Sequence, residues 1–477
     1  MTPEEENVVL RTQIAALREQ VQALLAEVQA LKGQLAKDSH NSSKPPSSDG
    51  LARKPKSLRR KSGRNPGGQP GHPGHRVLLT QTPDEVVVHR PVRCRACQQA
   101  LPDDAPGWSE RRQVHDLPPV RLRVTEHRLL HVRCPTCGET TAAAAPASVS
   151  APRQYGPRVR AVATYLIQQQ FVPYARTREL LADVFGVALA EGTLVNLVRQ
   201  GAARLQGVAE EIKAALSRAP VLHHDETGLR VAGPDGAGLQ WTHVTSTKQL
   251  TYYARHAARG VTALEAIGIL PGYTGVSVHD GWTSYRHYQT CWHALCNAHH
   301  LRELTFVEEE LGQVWAGELK ALLRAMHAAV EQARTAGATA LEPATRDRFV
   351  ARYEALLAAG VAQNPQPPPP PLSPRRRGRR KQSPARNLLD RLWTYEHEVL
   401  AFLDDFAVPF DNNQAERDLR PVKIQQKISG TFRSEPGTDA FCILRSVLST
   451  WRKQGQSGLA ALEAVFAGHP LPLQAPS

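Results

Sequence analysis

Three acidic stretches hold the side chains most able to do chemistry: HHDETG at 223–228, VHDGWTSY at 278–285 and DNNQAER at 411–417. Asp225 and Asp280 each close a short apolar run, residues 221–222 and 276–278, that reads as a buried strand. Glu416 lies in a segment of helical character. Two strand-end aspartates and a helix-borne glutamate, gathered by folding, would form a cage of hard oxygens of the kind Mg²⁺ or Mn²⁺ takes. Two such ions about 3.5–4 Å apart stabilise the attacking and leaving oxygens of an in-line displacement at phosphate. Carboxylates so gathered repel one another, so the cage is complete only with its cation. A single Asp at a strand end commonly caps a turn instead, and it is the three acids in this order that point to a metal-dependent polynucleotidyl transferase.

Neighbouring residues divide into helpers and rivals. Glu226 adjoins Asp225 but points to the opposite face if the strand continues. On a helix, Asn412, Asn413, Glu416 and Arg420 share one side, which would orient the carboxylate and offer Arg420 to a phosphate. Arg417 and Lys423 add basic groups beside it, and an ordinary surface helix with ion pairs is the competing reading. His299 and Arg302 follow directly on CWHALC (291–296), a candidate fifth strand, and are placed to line the site. Cys291, His293, Cys296 and His299 also suggest a second zinc site, but Cys291 and His293 would share one face of that strand and Cys296 the other, which favours structural roles. Trp282 and Tyr285 would stack on a base or pack beneath their loop.

Charge names the partner. Lys and Arg outnumber Asp and Glu 59 to 45 in 477 residues, a formal net charge of +14, which favours double-stranded DNA or another polyanion. Arg53, Lys54, Lys56, Arg59, Arg60, Lys61 and Arg64 form an acid-free run suited to binding phosphates without reading sequence. Neither a secretory signal nor an apolar run long enough to span a membrane is present, so a cytoplasmic protein is expected. In that compartment Cys94, Cys97, Cys134 and Cys137, in two CxxC pairs, suggest metal rather than disulfides. Four thiolates fill a tetrahedral Zn²⁺ and leave no open position, so this zinc would be structural.

The elements that must position these groups follow from composition and periodicity. Residues 1–38 carry Leu10, Leu17, Leu24 and Leu31 every seven residues, each followed four later by Ile14, Val21, Val28 or Leu35. That pattern suits a parallel two-stranded coiled coil and hence self-association. A basic linker rich in Pro and Gly spans 39–78, and a zinc ribbon 79–145. The ribbon is read with a long hairpin through Val120, Leu122, Val124, Leu130 and Val132. Residues 146–216 have the proportions of a helix-turn-helix-like DNA-binding region, and equally of an ordinary helical hairpin. From 217 to 440, three antiparallel strands, a helix and further strands follow in the order of a ribonuclease H-like core, with a helical insertion over about 299–395; 441–477 closes the chain. The fold class is therefore multidomain α/β.

These motifs resemble a known family, the IS66-type insertion-sequence transposases. The likeness rests on the leucine-patterned start, NSSKPPSSDG (41–50), GGQPGHPGH (67–75), the paired CxxC knuckles, HDET, HDGWTSY, CNAHHLREL (296–304) and FDNNQAERDLRPVKIQQKISGTFRS (410–434). The resemblance implies a DDE catalytic domain with Asp225, Asp280 and Glu416 as its triad. It implies nicking at transposon ends, attack of the freed 3′ hydroxyl on target DNA, and two small companion proteins encoded by the same element. Two rival readings remain: a nuclease or resolvase on the same fold that cleaves without joining, and a catalytically silent DNA-binding protein.

Overall fold

The computed structural model describes residues 3–42, 77–233, 236–366, 382–469 and 472–474, together with 67, 69, 71, 72 and 74. Helix α1 (Pro3–Ala36) carries the heptad pattern. Its apolar stripe, Leu10, Ile14, Leu17, Val21, Leu24, Val28, Leu31 and Leu35, is 46–76 % exposed. The end of the helix meets the rest of its unit, where Gly33 and Lys37 lie against Phe306. The basic run from Arg53 to Arg64 lies outside the described residues.

Ser57–Arg123 forms a unit of its own. Within it the Gln113 amide clips Thr80, accepting from its N–H at 2.7 Å and donating to its carbonyl at 2.8 Å. In the other unit, β1 (His131–Arg133) pairs antiparallel with β2 (Thr140–Ala142) around the second knuckle. The long hairpin expected through 120–132 is not formed: no strand is assigned over 77–130, and Val120, Leu122, Val124 and Leu130 are exposed. Alternating apolar residues make a strand only where one face finds a layer to cover it, and here none does.

Helices α2 (Pro157–Gln168), α3 (Tyr174–Phe185) and α4 (Glu191–Leu216) follow. Buried Leu194, Leu197, Val198, Ala202, Leu205, Ala209, Ile212 and Leu216 recur at three- and four-residue steps along α4, the stripe of a helix with one face in a core. Each buried Leu or Ile contributes about 1.5–3 kcal/mol.

The sheet is built from β3 (Val221–Gly233), β4 (Gly236–Ser246), β5 (Thr251–His256), then after α5 (Val261–Ile267) from β6 (Val276–His279) and β7 (Trp292–Leu295), in the order β5-β4-β3-β6-β7. The first three strands are antiparallel, and β6 and β7 run parallel to β3. Glycine is required just before β6, since a Cβ at Gly275 would sit 2.6 Å from the Pro220 carbonyl. Helices α6 (Asn297–Leu311), α7 (Val314–Thr335), α8 (Pro343–Gln363), α9 (Pro384–Thr394) and α10 (Glu396–Asp404) share a separate core around Trp315, Tyr353 and Phe402. This helical layer continues through α10, beyond residue 395.

Three helices complete the sheet. Helix α11 (Asn413–Ser429) lies on the face lined by Leu229, Val231 and Tyr253. Helix α12 (Glu435–Lys453) joins α4, α5 and α13 (Gly458–Ala467) in the core on the other side of Leu222. Edge strand β5 is closed by α12: the Ser446 and Thr450 hydroxyls accept the Tyr253 and Thr251 N–H groups at 2.8 and 3.0 Å. Covering an edge in this way removes a template for unwanted strand pairing.

Candidate active site

β3 pairs with β6 only at Val221, Leu222 and His223, opposite Val276, Ser277 and Val278. Continued two residues, past the last pair and the end of β6 at His279, that register sets Asp225 level with Asp280, about one strand spacing of 5 Å away. Asp225 is not at the end of its strand as expected. β3 runs on to Gly233 in its pairing with β4, and Asp225 sits where the parallel neighbour has just stopped. Leu229 and Val231 pack with Ala415 and Leu419 of α11, so Asp225, of the same parity, faces α11 and Glu226 the opposite side.

The exposed edge of β3 is closed by α11 rather than by a strand. The Asn412 amide donates to the His224 carbonyl at 2.7 Å, and the Gln426 amide to the Gly228 carbonyl at 3.0 Å. Asp225 lies between these two stitches, and Glu416 and Lys423 lie between them on the helix. Beyond, Phe432 resumes backbone pairing with Arg230 and Ala232. Asn412 does more: its Oδ1 meets His223 Nδ1 at 2.9 Å, and its N–H donates to Cys296 Sγ at 3.1 Å. The start of α11 is thereby tied to β3 and to the start of α6.

Electrostatics agree with this placement. Burial and then the charges of Glu226, Asp280 and Glu416 raise the Asp225 pKa well above the usual carboxylate range. Burial is the larger cause, and the repulsion added by Asp280 and Glu416 shows that these acids lie near Asp225. Among the described residues Asp225 and Asp280 each accept one hydrogen bond, from the N–H of Glu226 and of Trp282, both at 2.9 Å, so each keeps oxygen lone pairs for a cation. Glu416 Oε1 lies 3.3 Å from Arg302 Nη2 and 3.7 Å from His299 Nε2. Burial lowers the Lys423 pKa and the nearby Asp225 opposes that shift.

The loop carrying Asp280 is pinned from below. The Gly281 N–H donates to His279 Nδ1 at 3.0 Å, so His279 Nε2 carries the proton and donates to His293 Nδ1 at 3.0 Å. His293 Nε2 then donates to the Tyr288 carbonyl at 2.9 Å. Burial holds the His279 pKa well below its ordinary value. Gly281 takes φ +93°, which glycine adopts without strain. Arg259 lies 4.1 Å from the Trp282 ring and pairs with Glu226 at 2.7 Å, while Tyr285 donates to the other Glu226 oxygen at 2.5 Å. Burial raises the Glu226 pKa and the Tyr285 hydrogen bond opposes it. Glu226 is thus a buried anchor for the Asp280 loop, Tyr285 packs beneath that loop, and Trp282 is gripped by Arg259.

The structure brings Asp225, Asp280, Glu416 and Lys423 together and leaves Arg417 and Arg420 exposed on α11. The expectation that Asn412 and Asn413 orient Glu416 is corrected: Asn412 serves β3, Asn413 turns back to Asp411, and Arg302 and His299 hold the carboxylate. Cys296 is likewise not a strand residue whose parity excludes it, since it N-caps α6 and faces Asn412. Sequence reasoning missed Arg259 and Gln426, which carry no signal beyond residue type.

The two CxxC turns repeat one geometry, each described within its own unit. The Gln98 N–H returns to the Cys94 carbonyl and the Gly138 N–H to the Cys134 carbonyl, both at 2.9 Å. Positive φ at Gln98 (61°) and Gly138 (75°) allows these turns. The N–H groups of Cys97 and Ala96 lower the Cys94 thiol pKa, and those of Cys137 and Thr136 bring Cys134 down to about 7. Thiols so poised are ready metal ligands.

Residues 153–440 match the family described as Transposase IS66 family, and residues 91–138 match the zinc-finger binding domain of transposase IS66. Residues 1–77 match a family of unknown function (DUF6444). No curated protein matches the chain. With the first match covering more than half of its length, the chain belongs to the IS66 family of transposases.

Proposed function

We propose that this transposase works by DDE chemistry on a ribonuclease H-like core, nicking the ends of its element and joining the freed 3′ ends to target DNA. The observation that carries the reading is the set of acids around the gap in β3. The β3–β6 register, extended past its last pair, brings Asp225 level with Asp280, Asn412 ties the start of α11, which carries Glu416, to β3, and the charges of Asp280 and Glu416 add to the raised pKa of Asp225. The strand order, with three antiparallel strands followed by two parallel ones, is that of ribonuclease H-like cores and supports the fold assignment.

The donor set fits Mg²⁺ or Mn²⁺: hard carboxylate oxygens, incompletely satisfied by protein donors and mutually repelling without a cation. Bound there, two such ions would activate the attacking oxygen and stabilise the leaving one. The chain's own groups do the rest. In each step an oxygen, from water for nicking or from the 3′ hydroxyl for joining, forms a bond to phosphorus as the opposite P–O bond breaks, and its proton passes to solvent. Lys423, beside Asp225, presents an ammonium to the phosphate. The histidine chain and the Glu226–Arg259 pair hold Asp280 in place, which limits the geometric loss that costs rate when a ligand drifts. Arg417, Arg420 and the run from Arg53 to Arg64 supply phosphate contacts to double-stranded DNA, at the transposon ends and at the target. The exposed stripe of α1 pairs two copies as a coiled coil, and the CxxC cysteines hold structural Zn²⁺, a reading the matched zinc-finger domain supports.

The test uses labelled DNA bearing the element's end, full-length protein, Mg²⁺ and a target plasmid. Label appears in the plasmid with wild type and not with Asp280→Ala. Nicking without joining would make the protein a nuclease, and binding with neither would make it a silent DNA binder.

A further inference from the structure

Cys296, His299 and Glu416 offer one ligand atom each, all within 4.8 Å of one another. The first two are brought together by helix geometry. Cys296 is the N-cap of α6 and His299 lies three residues on, so both project on one side. The His299 N–H also returns to the Cys296 carbonyl at 3.1 Å, fixing that first turn. The third ligand comes from α11, whose start is held to Cys296 by the Asn412 N–H. One ring nitrogen of His299, Nδ1, is buried and has no hydrogen-bond partner among the described residues. Orphaned buried polar atoms are uncommon and call for a missing partner.

We propose that these three residues form a second metal site, for a borderline-soft divalent cation of the Zn²⁺ or Co²⁺ class. A thiol sulfur and an imidazole nitrogen suit such ions and not Mg²⁺, which takes oxygens almost exclusively. Three protein ligands leave a fourth position open to water or to a DNA phosphate oxygen. The site differs from the Asp225–Asp280 pair in ligand chemistry but shares Glu416, which exchanges its contact with Arg302 for the cation. Where Glu416 serves as the third catalytic carboxylate, a cation held here keeps it from the other two and works as an off-switch. That consequence rests on the reading proposed above, whereas the site itself does not.

The test therefore reads binding and not activity. Full-length protein with its CxxC cysteines loaded with zinc is titrated with Co²⁺, and thiolate-to-cobalt charge transfer is followed in the near ultraviolet. Wild type binds one further Co²⁺ with a single-thiolate band. Cys296→Ser removes the band, His299→Gln weakens binding by at least about 10- to 100-fold, and Cys291→Ser, at a buried cysteine outside both sites, keeps it, with circular dichroism confirming that each variant is folded. A band that survives Cys296→Ser, or no uptake by zinc-loaded wild type, overturns the site. Either result leaves strand joining by Asp225, Asp280 and Glu416 untouched.

Discussion

Replacing Asp225 by Asn should stabilise the protein in Mg²⁺-free buffer. Extended two residues past its last pair, the β3–β6 register sets Asp225 opposite Asp280, about one strand spacing of 5 Å away. Two like charges at that distance repel by about 1 kcal/mol in a water-like medium and about 3 kcal/mol at an effective dielectric of 20. Asn removes the charge and keeps an oxygen to accept the Glu226 N–H, so the expected gain is about 1–3 kcal/mol. The sign agrees with the raised pKa: folding favours the protonated acid, so stability is lost as pH rises through the folded pKa, and Asn mimics the protonated form. The assay is thermal unfolding near neutral pH with and without Mg²⁺, where 1 kcal/mol corresponds to about 2–4 °C for a domain of 150–250 residues. Wild type should gain stability on adding Mg²⁺, and Asp225→Asn should start higher and gain little. A variant less stable than wild type without Mg²⁺, or one that still responds fully to the ion, would refute the reasoning.

Acid should unfold the chain early. Burial lowers the pKa of His223, His224, His243, His279, His299 and His300, to about 3 for His224 and His299 and about 4 for His243. Below pH 6.5 the unfolded chain binds protons that the folded one refuses, so stability falls with pH, by up to about 1.4 kcal/mol per pH unit for each of His224, His243 and His299; a urea midpoint that stays flat from pH 7 to 5 would contradict this. Arg259→Ala should cost about 1–3 kcal/mol by leaving Glu226 buried with only Tyr285 and should raise the Mg²⁺ concentration needed for half-maximal activity, with Arg259→Lys recovering part of both. Sedimentation should show a self-associated wild type and a dissociated Leu17→Asp/Leu24→Asp variant, whose exposed stripe no longer pairs; unchanged association would place the interface elsewhere.

Much of the site was legible because its chemistry is local to short runs. Asp225, Asp280 and Glu416 each sit in a motif whose strand or helix character shows in a few residues, and the succession of strands followed from simple alternation. What failed depended on partners distant in sequence. The extent of β3 past Asp225 is set by β4, and the gap at Asp225 by where β6 stops. The apolar alternation at 120–132 resembled strands but has nothing to cover it. Arg259, Gln426 and the Cys296–His299 pair gained meaning only when Glu226, Gly228 and Glu416 were brought to them by folding.

The central claim is that Asp225, Asp280 and Glu416 touch the metal that drives strand joining. Asp280→Cys tests it most directly, because a thiolate binds Mg²⁺ poorly and Mn²⁺ better. Joining of labelled end DNA to a plasmid should fail in Mg²⁺ and return in Mn²⁺ for this variant, while wild type works in both. Equal joining by Asp280→Cys in the two metals would mean that residue 280 contacts no metal, and the account would fall.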